Sequence, residues 1–232
     1  MKKDYTTLLL DADDTIFDFL AAERIAFFAM MDQMGISADD EMHAVYSLIN
    51  DSHWKALERG ELTREQVLVG RYACLAARFG LKKDPAEMNR CYLQNLSRQT
   101  VLFEDSMEAM QALARDRRIY IVTNGNAMVQ RGRFASSPVM QYVDGYFISG
   151  EIGYEKPDIR YFDAVFAAIP DFDAATTLLA GDSATSDLQG AINAGLDSCY
   201  VDRRGKPRPE GIHPTYRVPD LAGLAKLLRK DN

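Results

Sequence analysis

Five short apolar runs constrain this chain more than any other feature: TTLLL (6–10), IYIV (119–122), GYFI (145–148), TLLA (177–180) and SCYV (198–201). Short apolar runs bounded by turn signals suit strands buried on both faces. Segments with helical spacing separate most of them. Met107, Met110 and Leu113 precede IYIV, and Ile159, Phe162, Phe166 and Ile169 precede TLLA. Alternating strand and helix predicts an α/β fold: a Rossmann-like parallel sheet in three layers, with helices on both faces.

One long region breaks the alternation. From about Asp18 to Gln99, helix follows helix. Ile25, Phe28 and Met31 mark one apolar stripe; Val45, Leu48 and Ile49 mark a second. Thr63 and Gln66 form a capping-box pattern ahead of Leu68, Tyr72, Leu75 and Phe79. Asp84-Pro85 with Glu87 starts another helix, carrying Met88, Tyr92 and Leu96. The expected organisation is a core of residues 1–17 and 100–232, with an all-α helical bundle inserted at 18–99. An insertion so close to the first strand's end reads as a cap over the sheet's functional edge. Gly60 and Gly80 offer flexible points between its helices.

Composition narrows the partners. Against 27 basic residues stand 34 acidic ones, a net charge of −7. A nucleic acid polymer, which needs a basic footprint, is a poor partner for such a chain. No stretch approaches the roughly 20 apolar residues that cross a bilayer. The apolar run behind Met1-Lys2-Lys3 is short and ends in Asp11, so it is not read as a signal peptide. Cys74, Cys91 and Cys199 are scattered and form no CxxC pair. They are expected to be reduced, buried thiols in a cytoplasmic protein.

The first run ends abruptly in Asp11, Asp13 and Asp14. Carboxylates this close raise each other's pKa unless a cation intervenes. A hard divalent ion such as Mg²⁺, which takes carboxylates, waters and substrate phosphate, relieves the repulsion. In an open parallel sheet, ligands gather outside the carboxyl ends of the strands. More acids are therefore expected at another strand end. TLLA is followed by Gly181, Asp182 and then Asp187. IYIV runs into Thr123, Asn124 and Gly125, whose hydroxyl and backbone N–H groups suit a phosphate. Lys156 precedes Pro157, read as the first residue of a helix, and is placed to neutralise phosphate near that helix's positive end. Each piece alone also reads as a turn cap, a helix start or a solvated lysine. Their order along the chain favours the chemical reading.

In this order the residues resemble the haloacid dehalogenase-like superfamily of aspartate-based phosphohydrolases. The four motifs are Asp11-Ala12-Asp13-Asp14-Thr15, a strand ending in Thr123, Lys156-Pro157, and Gly181-Asp182 with Asp187. The resemblance implies that Asp11 is the nucleophile, forming an aspartyl-phosphate. Asp13 would protonate the leaving alkoxide and then activate water. Thr123, Lys156 and the backbone N–H of Asn124 would hold phosphoryl oxygens. Mg²⁺ would be held by Asp11, the carbonyl of Asp13, and Asp182, with Asp187 further out. Thr15 would shape the turn that aims Asp13. Asp14 departs from the pattern, since many members carry Gly there.

The presence of Asp13 favours a phosphatase over a dehalogenase, because a halide leaves without a proton. DADDT, TNG, GDSATSD and the tract from Gly195 to Val218 are similar to the bacterial noncanonical pyrimidine 5′-nucleotidases. The implied substrate is a small phosphorylated metabolite, a nucleoside monophosphate. A sugar-phosphate phosphatase or phosphosugar mutase would share the core residues. A non-catalytic module binding Mg²⁺ or a phospholigand is the remaining alternative. Phe17, Asp18, Trp54 and Arg71 are candidate leaving-group contacts. Trp54 is read mainly as bundle packing, with base stacking as the alternative, and Arg71 as a solvated helix residue. His43, His53 and His213 lack metal-ligand spacing and receive no role.

Overall fold

The computed structural model describes residues 3–205 and 211–229. Met1, Lys2, Pro209 and Glu210, which carried parts of the sequence reading, lie outside the described residues. Six parallel strands form one sheet in the order β3-β2-β1-β4-β5-β6. They are β1 (Thr7–Leu10), β2 (Arg118–Thr123), β3 (Gly145–Ile148), β4 (Thr177–Gly181), β5 (Asp197–Val201) and β6 (Tyr216–Val218). The five apolar runs became five of these strands. The sixth, Tyr-Arg-Val, is too short and polar to show in an apolar pattern and sits at the sheet edge.

Alternation along β1 explains the three layers. Leu8 and Leu10 pack with Ile119, Ile121, Leu178 and Ala180 on one face. There they meet Ala109, Met110 and Leu113 of α5 (Ser106–Leu113) and Leu221 and Leu224 of α10 (Leu221–Leu227). Leu9 points the other way and joins Val122, Leu179, Tyr161, Phe162 and Val165. The last three belong to α8 (Ile159–Ala168), which follows the short α7 (Ser149–Ile152) and precedes the short α9 (Gln189–Asn193). Successive side chains of a strand alternate faces, so a central run of leucines serves two cores at once.

Between β1 and α5 lie four helices: α1 (Phe19–Gln33), α2 (Asp40–Glu58), α3 (Arg64–Phe79) and α4 (Pro85–Leu96). They enclose a core of their own, including Phe27, Met30, Tyr46, Tyr72, Met88 and Tyr92. The chain leaves and returns through one neck. Phe17 bridges Leu102 in antiparallel fashion, and Asp18 N–H donates to the Val101 carbonyl at 3.0 Å. Thr63 and Gln66 form the capping box that starts α3, and Asp84 caps α4 with Pro85 at its first turn.

Two of the expected stripes are displaced. In α1 the buried face is Ala22, Glu23, Ala26, Phe27, Met30 and Met31, while Ile25 is exposed. In α2 it is Met42, Tyr46, Asn50 and Ala56, and Leu48 is 72% exposed. Met31 of the expected α1 stripe is buried and Phe28 and Ile49 pack against the bundle core, but the inner faces are rotated to take in Glu23 and Asn50, which a hydrophobic pattern does not mark. The cysteines also differ from expectation: only Cys199 is buried, Cys91 is half-buried and Cys74 is exposed. No described helix is long and apolar enough to cross a membrane.

Replacing Leu9, which is fully buried, with Ala should cost about 2–5 kcal/mol in urea unfolding. Leu48→Ala should stay within about 0.5 kcal/mol. Equal losses at the two positions would contradict this assignment of core and surface.

Candidate active site

The carboxyl ends of β1, β2 and β4 are neighbours in the sheet, so the loops leaving them converge. Asp11 follows β1 directly and anchors its own N–H on the Ala180 carbonyl of β4 at 2.9 Å. Thr123 is the last residue of β2, and Asp182 follows β4. Lys156 reaches in from the loop before α8. Its Nζ donates to Asp11 Oδ1 at 2.7 Å, Asp187 Oδ1 at 2.6 Å and the Val122 carbonyl at 2.8 Å. Lys156 is 0% exposed, so all three of its protons are spent inside the protein.

The expected helix start at Pro157 is corrected: α8 begins at Ile159, capped by Asp158. Pro157 lies ahead of the cap because the Asp158 side chain takes the Arg160 N–H. Lys156 is positioned instead by Asn124. The Asn124 amide accepts the Lys156 N–H at 2.8 Å and donates to the Lys156 carbonyl at 2.7 Å. The side chain of Asn124 is thereby a clamp for the lysine's own peptide groups.

Oxygens of Asp11, Asp182 and Asp187 lie within 4.8 Å of one another. Asp187 is committed twice over: Oδ1 to Lys156, and Oδ2 to the Ser183 N–H at 3.0 Å. It sits in one turn of π-helix, Ala184–Leu188, that starts immediately beyond this loop. Gly181 is required here, since a Cβ would fall 2.2 Å from Asp187 Oδ2. Burial raises the Asp11 pKa; Lys156 opposes this, and Asp187 and Asp182 add to the rise. Burial works against the charge on Lys156, but Asp11 and Asp187 outweigh it and hold its pKa above the ordinary lysine range. A set of hard oxygen donors in which carboxylates repel one another suits a divalent cation.

Asp13 turns away from Asp11 to a different pair of partners. Arg133 Nη1 lies 2.5 Å from its Oδ1, and Gln130 Nε2 donates to its Oδ2 at 2.9 Å. Gln130 also donates to Thr123 Oγ1 at 3.0 Å, linking Asp13 to the end of β2. Both partners come from α6 (Ala127–Ser136), one helical turn apart. Arg133 is fully buried, with its guanidinium 4.6 Å from the Phe17 ring centre and its Nε donating to the Gln99 carbonyl. Neither residue was picked out from sequence. The available signal was a glutamine and an arginine three apart on the buried face of the helix after Thr123. Asp14 has a left-handed backbone, φ 57°, which explains why glycine suits this position elsewhere. Asp is among the residues that tolerate it, and the Asp14 carboxylate accepts from Arg204 at 2.7 Å. Thr15 is buried, and its carbonyl accepts from Arg203.

Above these loops lies a cavity of about 260 Å³. Its floor includes Asp11, Asp13, Thr123, Asn124, Asp182 and Asp187. Its roof comes from the helical insertion, with Phe19, Glu23, Asn50, Trp54, Arg71 and Tyr92. Of the four candidate leaving-group contacts, Trp54 and Arg71 line this space. Phe17 is buried beneath Arg133, and Asp18 caps α1. Arg71 is not solvated: it is 2% exposed and bonded to Asn50 and Asn89. Tyr72 and Tyr92 pack their rings about 5 Å from it, which makes burial of the guanidinium tolerable. Glu23 and Asn50 were missed because isolated polar residues on a helix carry no periodic signal. Burial raises the Glu23 pKa, with bonds from Ser47 and Asn50 and the charge of Arg71 opposing.

A family model described as haloacid dehalogenase-like hydrolase matches residues 5–195. HAD-hydrolase YfnB of Bacillus subtilis is 36% identical over 99% of this chain and 98% of its own length. Its crystal structure, bound to magnesium and described as revealing interdomain movement, superposes with a TM-score of 0.94, covering 98% of this chain and 100% of that one. Pyrimidine 5′-nucleotidase PynA of Streptococcus pneumoniae is 30% identical over 98% of this chain and 96% of its own. Pyrimidine 5′-nucleotidase YjjG of Escherichia coli is 30% identical over 99% of this chain and 100% of its own. Full-length similarity, the parallel sheet and the acids at its strand ends agree: this chain belongs to the haloacid dehalogenase-like hydrolase family.

Proposed function

We propose that the protein is a Mg²⁺-dependent phosphomonoesterase acting on nucleoside 5′-monophosphates, with a pyrimidine nucleotide as the favoured substrate. The observation that carries this reading is the convergence of Asp11, Asp182, Asp187 and Lys156 beneath a cavity that also holds Asp13. Similarity to two pyrimidine 5′-nucleotidases over nearly the whole chain supports the substrate class. Residues 18–99 act as the cap, and residues 1–17 and 100–232 as the catalytic core.

Asp11 attacks phosphorus through its oxygen not held by Lys156. The Asp11–phosphorus bond forms as the bond to the ester oxygen breaks. Asp13 gives its proton to the departing alkoxide, and later takes one from the water that attacks the aspartyl-phosphate. That second displacement releases phosphate and regenerates Asp11. Thr123 and the Asn124 N–H hold the phosphoryl oxygens, and Lys156, its three protons committed to Asp11, Asp187 and Val122, supplies positive charge beneath them. Asp11, the Asp13 carbonyl and Asp182 would hold Mg²⁺, with Asp187 behind them. The ion supplies positive charge where the transferring group is negative. Arg133 and Gln130 fix where Asp13 points.

Two substitutions test the assignment. Asp11→Asn should lower turnover of uridine monophosphate by about a thousandfold or more, with the fold intact by circular dichroism. Near-wild-type activity would remove Asp11 as nucleophile. Arg133→Met should lower kcat by about tenfold or more for a nucleoside monophosphate, and less for p-nitrophenyl phosphate, whose leaving group needs no proton. Equal losses on both substrates would separate Arg133 from the acid–base step.

A further inference from the structure

The roof of the cavity contains a buried acid and a buried base that do not touch. Glu23 is 1% exposed, Arg71 2% and Asn50, between them, 3%. Asn50 Nδ2 donates to Glu23 Oε2 at 2.9 Å, and Asn50 Oδ1 accepts from Arg71 Nη1 at 2.6 Å. Trp54 Nε1 donates to the same Oδ1 at 3.1 Å. These partners fix the amide's orientation, since a carboxylate cannot donate and a guanidinium cannot accept. Ser47 donates to Glu23 Oε1, and Arg71 Nη2 donates to Asn89 Oδ1 at 3.0 Å.

Stability alone does not account for this arrangement. An acid and a base buried for stability would pair directly, or be replaced by apolar side chains. Here they are held apart by the width of one amide group. Capacity is left over on both. A carboxylate offers about four acceptor sites and Glu23 uses two within this network; a guanidinium has five N–H donors and Arg71 uses two. Arg71 Nε has no hydrogen-bond partner among the described residues. Both residues line the cavity, beside the flat rings of Trp54 and Tyr92. Asn50 displays what the pair accepts, because its N–H goes to Glu23 and its C=O to Arg71. A ligand with an N–H next to a C=O on one planar edge has that same pattern.

We propose that Glu23 and Arg71, spaced by Asn50, read the cyclic-amide edge of a uracil- or thymine-type base on the leaving nucleoside. Glu23 accepts the ring N–H, and Arg71 donates to the adjacent carbonyl. Trp54 or Tyr92 supplies a face for the ring. The inference rests on the nucleotide phosphatase reading and adds to it the atoms that select the base.

The wild-type protein provides the first test, with uridine 5′-monophosphate and 3-methyluridine 5′-monophosphate compared by kcat/KM. Blocking the ring N–H should lower kcat/KM by about tenfold or more, because a site built to bond an N–H rejects the analogue lacking it. In Glu23→Ala the penalty for methylation should shrink toward one. Equal kcat/KM for the two nucleotides in wild type would overturn the proposal and leave the phosphatase reading standing. A full methylation penalty retained in Glu23→Ala would remove Glu23 as the reader. Failure to hydrolyse either nucleotide, with p-nitrophenyl phosphate turned over, would overturn both this proposal and the nucleotide reading while sparing the phosphomonoesterase chemistry.

Discussion

Lys156 stands between two carboxylates that would otherwise repel each other, and much of the molecule serves to put it there. β1 delivers Asp11, the turn after β4 delivers Asp187, and Asn124 clamps the lysine's peptide groups from the end of β2. Lys156 and Asp187 are fully buried and Asp11 is open only to the cavity, so removing one partner would leave a buried charge less well matched. The three side chains depend on one another, and the backbone around them is closely fitted. Gly181 has no room for a side chain, and the Asp187 backbone is held in π-helical form with its carboxylate folded back onto Ser183. A parallel sheet suits such a centre because its strand ends are adjacent in space though remote in sequence.

Asp13 belongs to a second, separate network. Two residues after Asp11, it is held by Arg133 and Gln130 and through Gln130 tied to Thr123. One acid is thus placed with the lysine while its neighbour is placed with α6. Divergent surroundings are how two like groups in one site acquire different tasks. The helical insertion closes over both. Its contacts with the core include Arg64, which donates to the Gly125 carbonyl and Ser149 Oγ, and Glu58, which accepts from Thr185 beside the acid loop. A buried polar roof over a carboxylate floor gives the cavity two ends of different chemistry.

What could be read from the sequence follows from how each signal is generated. Central strands are buried on both faces, so TTLLL and TLLA announced themselves by composition, and the acids after them by interruption. The edge strand Tyr216–Val218 has one polar member exposed and gave no such run. In the insertion, the capping box of α3 and the Asp-Pro start of α4 depend on neighbours in sequence and were legible. The inner faces of α1 and α2 were legible only in part, because Glu23 and Asn50 point inward, bonded to each other and through Asn50 to Arg71. Partnership across 21 or more positions decides their burial, and a local pattern carries no trace of it. Arg133 was hidden for the same reason, since its partner Asp13 is 120 residues away.

The central claim is that Asp11 and Asp182 share one divalent cation next to the Lys156 bridge. Isothermal titration of the purified protein with MgCl₂ tests it most directly, comparing wild type with Asp182→Asn. The account predicts one site in wild type and binding weakened by about tenfold or more in the variant, with the fold retained. Unchanged Mg²⁺ binding in a folded Asp182→Asn protein would contradict it.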